Sequence, residues 1–302
     1  MNDRASSRSV AALDQIAGVY NWAVGDIWIS AVADGYGLLP LQTVPQAGAD
    51  EAKRLAGAAF LPPGDMPIAV NTFLIRTGST LALVDTGAGT FFGAGAGKLW
   101  ENLRAAKVEP SSVNALILTH LHPDHALGMT TKDGAAAFPN AELIIHQREL
   151  AFWLDDANLA RAADFEKPLF QMARNAVAAY GKRVTLLERD GQPVVRGVEA
   201  RELPGHTPGH TGLHISSGDD QLFIWGDIVH LPHLQFPRPD WGMAFDVDTD
   251  QAAATRARIF DMTATDRIAV TGMHLNYPGF GHVVRGAGAA YSFIPSTWRY
   301  DL

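Results

Sequence analysis

Short runs in which apolar and polar residues alternate recur along the chain, separated by stretches where apolar residues return every three to four positions. The two periods mark strands and helices respectively. GVYNWAVGDIWISAVADG reads as two strands joined by a turn at Gly25-Asp26 and closed by Asp34-Gly35. AVNTFLIRTGSTLALVDTG gives two more strands around Gly78. AGKLWENLRAAKV gives an amphipathic helix with Leu99, Leu103 and Ala106 on one face, and NALILT gives a buried strand. The plan then repeats, with strand AELIIH, helices through 147–180, strands RVTLLE, PVVRGVEARELPG, GLHISS and QLFIWGD, a helix over 248–262 and strand DRIAVTGMH. Residues 36–67 break the pattern: prolines and glycines frame one short helix, which predicts an arm or lid outside the sheets. Mixed β pairs and βα units predict an α/β fold of two sheets packed together under outer helices. No low-complexity linker interrupts the chain, so residues 1–302 read as a single domain.

Composition narrows the chemistry. A chain of 302 residues with 47% apolar content can bury a full core. A net charge of -8 argues against nucleic acid as a partner, because such proteins carry basic patches. There is no cysteine, so any metal must sit on imidazole and carboxylate. No stretch approaches the ~20 apolar residues needed to span a bilayer. The N-terminal segment holds no apolar run longer than VAAL, short of the roughly 7–15 residues of a signal peptide. These features predict a leader over about 1–17 and a cytoplasmic protein with no membrane partner.

The segment THLHPDH, from Thr119 to His125, crowds three of the eleven histidines and an aspartate at the end of a predicted strand. Residues i and i+2 of an extended chain point the same way, so His120 and His122 project together. Pro123 ends the strand, and Asp124 and His125 fall at a strand-to-helix turn. Further ligand-type residues follow later strands: His206, His210 and His214 in LPGHTPGHTGLHI, Asp227 and His230 in FIWGDIVH, and His274 in VTGMHLNYPGFGH.

These motifs resemble those of metallo-β-lactamase-fold hydrolases, whose signature is H-x-H-x-D-H, then G-H-T, then an aspartate after a strand, then a late histidine. The match runs from about Val70 to His282. It implies an αββα sandwich, two mixed sheets packed face to face under outer helices, with a dinuclear metal site at one edge. One ion would sit on His120, His122 and His206 and the second on Asp124, His125 and His274, with Asp227 bridging. An all-nitrogen-and-oxygen set suits two divalent ions, zinc first, with manganese, cobalt or iron as alternatives. The resemblance also gives Asp85 of LVDTG the task of holding a ligand imidazole, the alternative being a plain turn aspartate before Gly87. His210 is expected to support the site without binding metal.

The implied reaction is hydrolysis of an ester-like bond by a metal-bridging hydroxide, with Asp124, Asp227 and His230 as the catalytic group. THLHPDH, FPNAELIIHQRELAFWL, GHTPGHT, Gly226-Asp227, HLNYPGFGH and YSFIP are most similar to the methyl parathion hydrolase and quorum-quenching lactonase group. That group implies small lactones, aryl esters or phosphotriesters as substrates and a homodimer. It also implies an aromatic pocket, for which Phe92, Trp153 and Phe170 are the matching residues, each of which could equally be core. Lactonases of the superfamily carry tyrosine where this chain has His230, which either acts on a substrate oxygen or packs. The alternatives are a glyoxalase II-type thioesterase, a phosphodiesterase, or a diiron redox protein, whose motif would read H-x-E-x-D-H.

Overall fold

The computed structural model describes residues 15–61 and 64–300; most of the expected N-terminal leader lies outside them. The first sheet contains β1 (Val19–Val24), β2 (Ile27–Leu39), β3 (Met66–Thr77), β4 (Thr80–Val84), β5 (Ala115–Ile117), β6 (Glu142–His146) and β7 (Val184–Leu187) in sequence order. Its first four strands pair antiparallel, and β4 to β7 run parallel. The second sheet holds β8 (Pro193–Val195), β9 (Val198–Glu202), β10 (Thr211–Ser217), β11 (Asp220–Ile224), β12 (Ala269–Thr271), β13 (Gly281–Arg285) and β14 (Tyr291–Pro295). Only β11 and β12 are parallel there.

Alternation along the strands builds the layers. In β4, Ala82 and Val84 face the second sheet, where they meet Leu213, Ile215, Leu222 and Ile224, while Leu81 and Leu83 face outward. The outward face packs against α2 (Leu99–Ala105) and α6 (Lys167–Ala178) through Leu99, Leu103, Phe170 and Val177. Behind the second sheet, Phe223, Trp225 and Val270 pack against Ile259 and Phe260 of α8 (Thr249–Asp266). The result is the expected αββα sandwich. No helix among the described residues is long and apolar enough to cross a membrane.

Several boundaries differ from the pattern-based expectation. Asp34-Gly35 does not close β2; the ladder continues to Leu39 through a bulge between Ala33 and Gly35. The Asp34 carboxylate accepts from the amides of Ala88, Gly97 and Leu99, so this residue serves a neighbouring loop. The segment outside the sheets therefore begins at 40 and β3 opens at Met66, against the expected 36–67, and its described residues carry a 3-10 turn over Leu41–Thr43 and one α-helix, α1 (Ala49–Ala58). Val44 and Ala52 of this arm pack with Leu231, Leu234 and Trp241, directly beyond His230. PVVRGVEARELPG is a hairpin, turned at Gly197 with φ +74°. The helical stretch 147–180 is three helices: α4 (Gln147–Leu154), α5 (Asp156–Arg161) and α6. Asp155 ends the first and caps the second by accepting from the Ala157 and Asn158 amides. Among the described residues the remaining α-helices are α3 (Pro123–Ala126) and α7 (Pro232–Gln235).

Candidate metal centre

The ligand-type residues converge because the strand ends that carry them share one edge of the sandwich. Asp85 follows β4, THLHPDH follows β5, His206 lies between β9 and β10, Asp227 follows β11 and His274 follows β12. Pro123 stands at the first position of α3, which turns Asp124 and His125 back towards the cluster.

Backbone and carboxylate acceptors fix most of the rings. The Thr119 hydroxyl donates to Asp85 at 2.8 Å and so is left to accept from His120 Nδ1 at 3.0 Å. His125 Nδ1 donates to Asp85 at 2.7 Å, His206 Nδ1 to Asp246 at 2.7 Å and His274 Nδ1 to the Ala69 carbonyl at 2.6 Å. Each ring is thereby set with its Nδ1 proton turned outward and its Nε2 turned to the centre, where it can offer a lone pair to a cation. His120 Nε2, His122 Nδ1 and His206 Nε2 form a triangle with edges of 2.9 to 3.2 Å. That is close to the ~3.3 Å between nitrogens on one tetrahedral zinc ion. Beside it, Asp124 lies 3.7 Å from His125 Nε2 and 3.5 Å from His274 Nε2. Asp227 Oδ2 stands between the two groups, 3.3 Å from His206 Nε2 and 3.2 Å from both His125 Nε2 and His274 Nε2.

Converging lone pairs and carboxylates repel one another unless a cation lies among them, and the donor set thus fits divalent metal. Among the described residues, buried His125 Nε2 and Asp227 Oδ1 have no hydrogen-bond partner. Electrostatics agree. Burial alone would lower His125 and His206, but Asp227 with Asp124 and Asp85, or with Asp246, outweighs it; His125 is raised well above its ordinary value and His206 to about 9. Burial alone would raise Asp227, yet the surrounding imidazoles hold it well below the usual carboxylate range. Burial, with the neighbouring imidazoles, holds His120 and His122 well below their ordinary value, so these two stay neutral donors while the carboxylates favour a cation among them.

His210 is placed differently. Its Nδ1 donates to the Leu203 carbonyl at 2.9 Å and its Nε2 accepts from the Asp227 amide at 2.9 Å, so both nitrogens are committed to backbone. Burial keeps it neutral, lowering it to about 3. His214 sits on β10 against Gln221, away from the cluster. Asp85 is both things the sequence allowed: a turn residue at φ +57° and the acceptor for His125. Buried His230 brings Nε2 to 3.0 Å from Asp227 Oδ2, and neither of its nitrogens has a hydrogen-bond partner among the described residues. Arg256, buried on α8, holds the segment on either side of His230 by donating to the carbonyls of Ile228, Pro239 and Trp241.

A cavity of about 290 Å³ opens beside His122, lined by Trp153, Phe165, Phe170 and Phe245. Trp153 and Phe170 are chiefly core, their ring centroids 4.7 Å apart and their planes tilted by 52°, and present only part of their rings to it. Phe92 does not line this cavity; it lies over Gly37 and packs with Val70, Ala88 and Ala96. A larger cavity, of about 610 Å³, lies under α1 and none of the clustered histidines lines it. Asp246, Glu149, Thr119, Phe165 and Phe245 also stand in this region and carry no role in the sequence pattern.

A family model described as the metallo-beta-lactamase superfamily matches residues 65–274, more than half of the chain. The chain belongs to that superfamily. Among solved structures, this superfamily member is similar to the hydrolase AbOPH of the beta lactamase superfamily, at 30% identity and TM-score 0.88 over 95% of this chain and 100% of the other. It is also similar to AidC, a dizinc quorum-quenching lactonase solved with a homoserine product, at 27% identity and TM-score 0.88 over 95% and 100%. An N-acyl homoserine lactone hydrolase with product at its catalytic metal centre shares the fold at 19% identity and TM-score 0.58, over 86% of this chain and 100% of that one. Among curated protein sequences there is no significant match. Superfamily membership and the clustered donors together imply divalent metal binding.

Proposed function

We propose that the chain is a dinuclear metal-dependent hydrolase that opens small lactones and also cleaves aryl esters or phosphotriesters. The observation that carries this is the shared carboxylate: Asp227 Oδ2 lies within 3.3 Å of imidazoles from both donor groups, beside an aromatic cavity. The enzyme class, a metallohydrolase of ester bonds, follows from the superfamily and its hydrolase neighbours. Lactones come first because of the likeness to AidC. His120, His122 and His206 would hold one ion and Asp124, His125 and His274 the other, zinc being the first choice. Ions held there supply Lewis acidity to a carbonyl or phosphoryl oxygen and bring water close to ionisation at neutral pH.

The chain's own residues do the rest. Asp246, Asp85, Thr119 and the Ala69 carbonyl orient the imidazoles, and His210 fixes the backbone amide of Asp227. The wall of Trp153, Phe170 and Phe245 receives an acyl or aryl group beside His122 and keeps water from it. His230 donates to the departing or carbonyl oxygen. Its Nε2 lies 3.0 Å from the shared Asp227 carboxylate, and neither ring nitrogen makes a hydrogen bond among the described residues, so the ring faces the centre with a donor to give. A homodimer and a single domain remain part of this reading.

The test is a panel of acyl-homoserine lactones, aliphatic lactones, aryl esters and paraoxon-type triesters on zinc-loaded protein and its His230→Ala variant. Lactone kcat/KM is expected to fall about 10- to 100-fold in the variant with metal content intact. Nitrophenyl substrates, whose leaving groups need no proton, should fall less. Equal losses would remove the leaving-group role, lost metal would make His230 a ligand, and a wild type inactive on every ester would refute the function.

A further inference from the structure

Glu149, the third residue of α4, is fully buried, and its partners are the loops that carry the imidazoles. Oε1 accepts from the Leu121 amide at 3.0 Å and from the Trp153 indole at 2.7 Å. Oε2 accepts from the Thr207 hydroxyl at 2.6 Å and from the Gly209 amide at 3.1 Å. Leu121 lies between His120 and His122. Thr207 adjoins His206, and Gly209 adjoins His210, which holds the Asp227 amide. Trp153 and His122 meet edge to face, with centroids 5.6 Å apart.

A second observation concerns the same contact. A Cβ added to Gly209 would lie 2.2 Å from the Glu149 nitrogen and 2.7 Å from its Cα. The GHTPGH loop thus rests directly on the backbone of α4, and glycine is what permits the approach. Four donors on one carboxylate make charge-assisted bonds that no neutral side chain of this size can reproduce.

We propose that Glu149 is a positioning residue that sets the spacing of His122 and His206, 2.9 Å apart at their facing nitrogens, by holding a loop from each sheet on its two oxygens. This rests on the reading that those imidazoles hold metal. In Glu149→Gln one oxygen becomes an NH2 group. Facing Leu121 and Trp153 with the amide oxygen keeps both of those bonds, and the Thr207 hydroxyl can turn to accept from the NH2. The Gly209 amide is then left against a donor. The opposite orientation sets the NH2 against two N–H donors and is worse. The disturbance therefore falls on the His206 loop.

The experiment is zinc affinity by chelator competition at 25 °C, on protein shown to be folded by circular dichroism. Glu149→Gln is expected to bind zinc at least about tenfold more weakly, with its largest amide NMR shift at Gly209 rather than Leu121. Thr207→Val, which removes a single donor, should show a smaller loss in the same direction. Wild-type zinc affinity in folded Glu149→Gln overturns the proposal; where that variant does not fold, wild-type affinity in Thr207→Val does so. A wild-type chain that takes up no zinc overturns the metal reading itself, and this inference with it.

Discussion

His206 and His210 stand four positions apart in GHTPGH, and what separates their tasks is the partner of each ring. His206 gives its Nδ1 proton to a carboxylate and keeps Nε2 free, whereas His210 is engaged at both nitrogens by backbone. The Asp246 carboxylate that selects this state of His206 also accepts from the Met243 amide at 2.7 Å. Asp246→Asn can still accept from one of these donors but sets an NH2 group against the other and removes the charge. Zinc affinity is expected to fall about 10- to 100-fold, read by chelator competition; an unchanged affinity would mean that the ring is oriented without Asp246. The clustered histidines, Asp124 and Asp227 were legible in the sequence because strand periodicity and Pro123 place them at strand ends. Asp246 was not, because FDVDTD looks like any polar turn and its partner is 40 residues away. Glu149 left a fainter signal: on a helix it shares a face with Phe152 and Trp153, three and four positions on, where a solvated carboxylate has no reason to be.

At the scale of elements, the sequence was legible where one period persisted and illegible where a side chain overruled it. β4, β5 and β6 follow their apolar runs. β2 outruns its expected end because Asp34 satisfies loop amides, so that Asp-Gly acts as a bulge rather than a turn. β13 and β14 were not legible as strands, although YSFIP stood out as a motif, because glycines surround them and their exposed positions blur the alternation. The segment after β11 has no periodicity, and its course is held by Arg256 from α8. Arg256→Met would leave the carbonyls of Ile228 and Pro239 without their donor, while that of Trp241 keeps its bond from Gln235 Nε2. Each such acceptor costs on the order of 1–3 kcal/mol, so denaturant titration should show a loss of about 2 kcal/mol or more. A loss within about 0.5 kcal/mol, as for an ordinary surface substitution, would show that the segment holds itself.

Across the whole molecule, the donors are contributed by both sheets and by distant parts of the chain. His120 and His206 are 86 residues apart, and His274 reaches a carbonyl 205 residues away. The layered architecture could be anticipated from the order of periods, but the meeting of two sheet edges could not, because it depends on side-chain packing between sheets rather than on any local pattern. A cation gripped from both sheets cannot help them find each other, since its donors are assembled only after long loops have closed and both sheets have docked. It can only oppose their parting. Zinc should therefore slow unfolding while leaving the refolding rate close to that of the metal-free chain, as stabilisation gained after the transition state does. Stopped-flow chevrons with and without zinc would separate these rates, and faster refolding with zinc would place the clasp in the transition state instead. On this view the metal determines how long the folded molecule lasts, not how quickly it forms.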